Sequence, residues 1–169
     1  MSNLLKVASI ESPVGALTAG FTQNGLALLS FSTLDALELP KGLKDFELAE
    51  EKTKDHIDLK RQLKRYFNGE LQNFDLSIDF HGTDFQQSVW QALLKVPYGS
   101  TRSYKEQATI LGDVKAIRAV ATANGANPIA IVVPCHRIVG SDQSLTGYAG
   151  GLERKQFLLE LESNQGRLF

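Results

Sequence analysis

Cysteine is almost missing from this chain: 169 residues carry one Cys, one Met, one Trp and five Pro. A single thiol forms no intrachain disulfide and builds no thiolate cage by itself, which excludes a disulfide-stapled secreted scaffold and a cysteine zinc site. Net charge is missing too. The 18 Lys/Arg against 19 Asp/Glu leave −1 with His neutral, which excludes a strongly basic nucleic-acid clamp. No apolar run is long enough to cross a bilayer, and the opening MSNLLK lacks the basic start, apolar core and small-residue cleavage site of a secretory leader. A cytoplasmic protein is expected, in a reducing compartment where one free thiol persists.

What is present describes an ordinary globular chain, 43% hydrophobic and 22% charged, long enough for one large or two small domains with a real core. Its charge is uneven. Residues 1–83 hold nine Lys/Arg against twelve Asp/Glu, whereas residues 84–169 hold nine against seven. The second half is the mildly basic one, which points weakly to a polyanion partner.

Hydrophobic patterning divides the chain at the same place. In the first half, Leu5–Ile10 and Ala16–Phe21 read as strands, and Asn24-Gly25 before Leu26–Phe31 is a hairpin signal. A helix is expected from Lys54 to Asn68, because Ile57, Leu59, Leu63, Tyr66 and Phe67 recur at helical spacing before Gly69, and a short strand is expected over Phe74–Phe80. In the second half, Asp84 is expected to cap a helix over Phe85–Lys95 that ends at Pro97-Tyr98-Gly99-Ser100. Ser103-Tyr104-Lys105-Glu106 has capping-box spacing and opens a helix to about Leu111, Gly112-Asp113 breaks it, and Val114–Asn124 forms the next. Two short helices joined by a tight turn read as a helix-turn-helix. The second is rich in Ala116, Ala119, Ala121 and Ala123, with Arg118 the one long side chain among them. Such a helix either packs on a neighbour or enters a groove and meets backbone and shape rather than base sequence.

The lone Cys135 ends the apolar run Ile131-Val132-Val133-Pro134 and is followed by His136 and Arg137. A free Cys is commonly a small core residue, and that reading stays open on its type alone. A thiol behind a proline and ahead of two potential cations is also placed as a nucleophile, with the cations expected to lower its pKa. An extended apolar approach to the thiol is expected.

Phe85-Gln86-Gln87, Tyr104, Arg118-Ala119-Val120, Asn127-Pro128, Pro134-Cys135-His136-Arg137, and Gly147-Tyr148-Ala149-Gly150-Gly151-Leu152 followed by Lys155 and Leu158-Leu159 carry a resemblance. At these spacings the chain resembles the O6-alkylguanine-DNA alkyltransferase family, the methylated-DNA-protein-cysteine methyltransferases, densely over 84–162 and more weakly in the first half, where Tyr66-Phe67-Asn68-Gly69-Glu70 fits. The resemblance implies an α+β protein: a small N-terminal ribonuclease-H-like α/β supporting domain over 1–83, and a C-terminal helical, winged helix-turn-helix DNA-binding domain over 84–169 that holds the active Cys. It implies irreversible, stoichiometric transfer of an alkyl group, methyl above all, from O6-alkylguanine in double-stranded DNA to the protein's own cysteine, with O4-alkylthymine as a further substrate. The partner expected is damaged DNA, with no membrane, no cofactor and a monomeric protein.

Carried over residue by residue, the resemblance makes Cys135 the nucleophile and alkyl acceptor, His136 the base acting through a water, Glu162 the group that orients His136, Tyr104 the proton donor to guanine, and Asn127 the active-site hinge. Arg118 is implied as the finger that fills the gap left by the extruded nucleotide, with Tyr104, Ala116, Ala119, Thr122 and Arg137 also at the DNA. Pro134, Ile138, Tyr148, Ala149 and Gly150 are implied as pocket wall. Ala149 departs from relatives that carry Ser there, leaving only a backbone amide to meet guanine O6. Some family members hold zinc in the first domain; with only His56 and His81 outside the motif and no second Cys, no metal site is expected here. Two other classes are consistent with parts of the pattern. A binding-only relative that recognises alkylated DNA would lack the acceptor, which Cys135 opposes. A cysteine hydrolase would draw its base from a distant segment rather than from the adjacent His136, and it would turn over repeatedly.

Overall fold

The structure, a computed structural model, describes residues 3–142, 144, 145 and 147–164, with Asn164 by its backbone alone. The chain divides into two compact units. The first is the chain up to Gly82 together with Pro128–Val132; the second is Thr83–Asn127 with the chain from Val133 onward.

The first unit is built on a four-stranded sheet. Strands β1 (Leu4–Ile10), β2 (Leu17–Thr22), β3 (Gly25–Ser30) and β4 (Glu47–Glu50) lie in the order β3-β2-β1-β4. β1 pairs antiparallel with β2, Lys6 opposite Phe21, and parallel with β4, Leu5 opposite Leu48. Alternation along β1 turns Leu5 and Val7 inward, where they join Ala27, Leu28 and Leu43. The hairpin between β2 and β3 turns at Gln23-Asn24, so Gly25 opens β3 rather than completing the turn. Gly25 has φ 147°, and a Cβ there would lie 2.6 Å from the Ser77 carbonyl oxygen, a close approach only glycine allows.

Helix α1 (Lys54–Phe67) buries Leu59, Leu63 and Tyr66 at helical spacing, each worth about 1.5–3 kcal/mol on transfer from water. Its start is fixed by a reciprocal cap: Thr53 Oγ1 accepts from the His56 amide, and the Thr53 amide donates to His56 Nδ1 at 3.1 Å. An acceptor Nδ1 requires the proton on Nε2, which donates to the Ala19 carbonyl at 3.0 Å. Burial lowers the His56 pKa and keeps this neutral form.

The strand expected over Phe74–Phe80 is not formed. Only Ile78 bridges to β3, opposite Leu26, with the Leu26 amide donating to Ser77 O and the Asp79 amide to Leu26 O. A side chain takes the place of a strand partner upstream: Gln62 Nε2 donates to Asp75 O and Gln62 Oε1 accepts from the Asp75 amide, both at 2.8 Å. The remaining edge of β3 is covered by the returning segment, since Leu29 exchanges backbone bonds with Pro128 and Ala130 at 2.9 Å. The apolar run before the thiol belongs to this segment. It is not extended: Ile131 has φ 70° and the chain passes through tight turns, so the expected straight approach is replaced by a compact one.

The second unit is helical. Helix α2 (Asp84–Leu93) is capped by Thr83, whose Oγ1 accepts from the Gln86 amide at 3.1 Å; Asp84, expected as the cap, is the first helical residue. Strand β5 (Arg102–Ser103) leads directly into helix α3 (Tyr104–Ile110), opened by the expected Ser103/Glu106 capping box. The next expected helix begins as a 3₁₀ turn, Val114–Ala116, and becomes α-helical as α4 (Ile117–Gly125), because Asp113 caps the Lys115 amide and tightens the start. Gln107 and Asn124 lock α3 to α4 through reciprocal buried amide bonds of 2.9 and 2.7 Å, and the Trp90 indole donates to Ala123 O at 2.8 Å, tying in α2. Strand β6 (Ile138–Val139) pairs in parallel with β5, and α5 (Leu152–Asn164) closes the unit. Among the described residues no helix is long and apolar enough to cross a membrane.

Candidate active site

Two local devices assemble the chemistry. The first is the β5–β6 pair: Arg102 lies opposite Ile138 and Ser103 opposite Val139. Tyr104 follows β5 immediately, and the 3₁₀ turn Cys135–Arg137 precedes β6 immediately, so in this parallel pair the thiol turn enters at the N-terminal end and the phenol leaves at the C-terminal end, two backbone rungs apart. The second is helix α5. Lys155, Leu158 and Glu162 are its buried residues among those described, spaced by three and four, so they share one inward face.

Cys135 is 9% exposed, and its Sγ accepts from Asn127 Nδ2 at 3.2 Å. The same Nδ2 donates to Val133 O at 2.9 Å, so one amide pins both the loop and the sulfur. Burial raises the thiol pKa, while the Asn127 hydrogen bond and the Lys155 charge act to lower it. The expectation that the charges of His136 and Arg137 would lower the thiol pKa is therefore corrected: Arg137 is held by a carboxylate, burial disfavours the charged form of His136, and the cation whose charge acts on the sulfur is Lys155.

His136 is fully buried, and its Nε2 lies 2.8 Å from Glu162 Oε2. Burial pushes the Glu162 carboxyl up, but the hydrogen bonds from His136 and Arg137 outweigh it and hold the pKa at about 2. An ionised carboxylate only accepts, so Nε2 carries the imidazole proton and Nδ1 is left basic. Nδ1 is buried and has no hydrogen-bond partner among the described residues. Burial keeps the His136 pKa below its ordinary value despite Glu162, so the ring is neutral at neutral pH.

Arg137 was expected at the DNA. It is 7% exposed, and its guanidinium is spent inside the protein: Nε donates to Glu162 Oε1 at 2.8 Å, Nη2 to Glu162 Oε2 at 3.0 Å and Nη1 to Val96 O at 2.7 Å, with the Tyr98 ring 5.6 Å away. Three of its five N–H donors are so engaged and the group is buried, and withdrawing it toward a phosphate would take the cation away from a buried carboxylate.

The remaining expected residues separate by exposure. Arg118, Ala119 and Thr122 are exposed and Ala116 half-buried, so the outer face of α4 carries them together, with Val120, Ala123 and Asn124 on the inner one. Tyr104 and Tyr148 are half-buried, Ala149 exposed and Gly150 half-buried, whereas Pro134 and Ile138 are buried and back the turn rather than face solvent. Lys155 has no accessible surface; its Nζ donates to Gly147 O at 3.3 Å and lies 5.9 Å from the Tyr104 ring. A Cβ on Gly147 would sit 3.8 Å from the Tyr104 hydroxyl, which places that hydroxyl beside the glycine stretch.

Lys155, Val96 and Tyr98 were not expected to take part. Lys155 had a readable signal, a lysine seven residues before the carboxylate on an otherwise apolar helix face; the Val96 carbonyl had none, since backbone acceptors leave no trace in side-chain type. Among the described residues no three His, Cys, Asp or Glu side chains converge as a metal site. A cavity of about 620 Å³ opens in the first unit beside Lys6, Asp79 and His81, where Asp79 accepts from Thr22 at 2.5 Å and lies 2.8 Å from His81.

The chain matches two family models, the 6-O-methylguanine DNA methyltransferase ribonuclease-like domain over residues 5–80 and the DNA binding domain of the same family over residues 84–164. It is 48% identical over 161 residues to a methylated-DNA--protein-cysteine methyltransferase of Methanosarcina barkeri, covering 94% of this chain and 97% of that one. It is 60% identical over 104 residues to the protein of the same name from Mycobacterium bovis, covering 62% and 63%. Among solved structures, Mycobacterium tuberculosis O6-methylguanine methyltransferase superposes with a TM-score of 0.81 at 45% identity, covering 95% of this chain and 94% of that one. Mycobacterium tuberculosis OGT in complex with DNA does so at 0.81 and 44%, covering 96% and 94%.

Proposed function

Because the chain belongs to the 6-O-methylguanine DNA methyltransferase family, we propose that it repairs DNA by transferring the alkyl group of O6-alkylguanine to its own Cys135, once per molecule. One observation carries the assignment of roles: the single thiol of the chain is held by Asn127, and the neighbouring imidazole is oriented by an ionised carboxylate with its basic nitrogen left available. Nucleophile, base and orienting group are the three parts an activated thiol requires.

His136 Nδ1 takes the thiol proton through a water, and the Cys135 thiolate attacks the carbon bound to guanine O6. An S–C bond forms, the C–O bond breaks, and its electron pair goes to guanine. Tyr104 donates a proton to the ring, so guanine leaves neutral, and the phenolate is reprotonated at the expense of the imidazolium. Lys155, within 5.9 Å of the Tyr104 ring and charged toward Cys135, favours both the thiolate and the transient phenolate. Arg118 on the exposed face of α4 fills the stack while the damaged nucleotide occupies the pocket. A thioether offers no leaving group, which makes the transfer irreversible. A DNA substrate and a thiol that must stay reduced to react support a cytoplasmic location.

Peptide mass spectrometry after incubation with a duplex holding one O6-methylguanine tests this reading. One added methyl on the peptide that contains Cys135, with yield capped at one per protein, is the expected result. Cys135→Ser is expected to bind the duplex and transfer nothing. Transfer by the serine variant, or binding by the native protein with no mass change, overturns the mechanism; repeated turnover of a thioester substrate would identify a hydrolase instead.

A further inference from the structure

The Arg137 fork does more than fill space, since it places a second cation on the same carboxylate that orients the catalytic imidazole. We propose that Arg137 is a positioning residue for alkyl transfer: by holding Glu162 through both Nε and Nη2 it keeps His136 neutral, with Nε2–H toward the carboxylate and Nδ1 free to receive the thiol proton. This rests on the alkyl-transfer reading above.

The physical reason is charge balance in a buried site. Neutral His136 with ionised Glu162 and charged Arg137 sums to zero, the state that burial favours. Without the guanidinium, the neutral imidazole would leave the buried carboxylate without the one cation shown bonded to it. The carboxylate would recover balance by drawing a proton onto His136, and an imidazolium cannot act as a base. The charged groups that face the imidazole are Glu162 and Lys155 from α5 and Arg137 from its own turn, with Tyr98 against the guanidinium and the carboxylate. Lys155 and Arg137 both oppose protonation of His136, and Glu162 alone favours it. Geometry makes the arrangement rigid: Nη1 is fixed to the Val96 carbonyl, just beyond the end of α2, so the guanidinium cannot follow the carboxylate if it shifts.

The chain contains three His, so isotope-edited imidazole NMR resolves His136 directly in the full-length protein without any appeal to DNA chemistry. In the native protein His136 is expected to be the neutral Nε2–H tautomer at pH 7, and an imidazolium there would overturn the proposal even if no variant folded. In Arg137→Met and Arg137→Gln, checked for native circular dichroism, the His136 midpoint is expected to rise above the ordinary 6.5; an unchanged midpoint would overturn it. Single-turnover transfer provides the functional readout. Once the midpoint passes neutrality, each further unit lowers the rate at pH 7 about tenfold, and the rate recovers at higher pH. A loss equal at every pH would mark Arg137 as merely structural and sink the idea. Affinity for undamaged duplex is expected to be unchanged, because the guanidinium is buried. If the native protein transfers no methyl group while His136 titrates as described, the alkyl-transfer reading fails and the electrostatic one stands.

Discussion

Replacing Glu162 by Gln preserves shape and removes one buried charge, which isolates what the ion cluster contributes to stability. In the native protein the carboxyl lies at about 2 against an ordinary 4.5. The folded state thus prefers the ionised form by about 3 kcal/mol. Because the folded pKa is depressed, this contribution is fully present above pH 4.5 and is lost as pH falls toward 2. At pH 3 about 2 kcal/mol of it has gone, since the unfolded carboxyl is protonated while the folded one is still ionised. The variant also leaves the Arg137 guanidinium buried against an amide, a loss of about 3–5 kcal/mol when one partner of a buried pair is removed. Urea titrations of both proteins at pH 5 and pH 3 give the comparison, the higher value being chosen below the ordinary His range so that imidazole titration contributes little to the difference. The stability gap is expected to be a few kcal/mol at pH 5 and about 2 kcal/mol smaller at pH 3. An equal gap at the two pH values would refute the assignment of Glu162 as the ionised centre of the site.

Three further outcomes follow from single contacts. Asn127→Ala removes the donor to both Cys135 Sγ and Val133 O, so alkylation of the thiol by iodoacetamide at pH 7 should slow about tenfold, a charge-assisted hydrogen bond being worth about 1.5–3 kcal/mol; an unchanged rate would separate Asn127 from the thiol. Arg118→Ala, at an exposed position, should leave urea stability unaltered and slow transfer from duplex about tenfold while sparing transfer from the free O6-alkylguanine base. Equal slowing with both substrates would contradict a role in extrusion. Gln62→Ala removes both bonds to Asp75 and should cost about 1–2 kcal/mol, visible as a lower urea midpoint and faster amide exchange at Leu26 and Asp79; unaltered exchange would mean the bridge at Ile78 holds without it.

Local order was readable where a short stretch of chain determines it. The Ser103/Glu106 box opens α3 because both partners lie within one turn. The Gly69 stop closes α1 at Phe67, where residue spacing and a glycine suffice. Failures came where a distant group substituted for a local one. Phe74–Phe80 has the composition of a strand, but the Gln62 side chain occupies the Asp75 backbone and leaves one bridge. Arg137 has the type and setting of a phosphate ligand, but a carboxylate twenty-five residues later claims it.

By itself the sequence determined that the chain has one thiol to offer as a nucleophile, that Cys135-His136-Arg137 is its immediate setting, and that two short helices flank Gly112, because these depend on residue type and near-neighbour spacing. Only the tertiary structure decided which way each of those side chains acts. His136 turns its Nε2 to Glu162, Arg137 turns inward to the same carboxylate and to Val96 O, and the cation toward the sulfur comes from α5 as Lys155. The reason is that a buried charge is tolerated only where opposite charge and hydrogen bonds converge on it. Which groups converge is set by the meeting of the Cys135–Arg137 turn with the inward face of α5 and with the Val96 carbonyl, long-range contacts that no local pattern in the chain encodes.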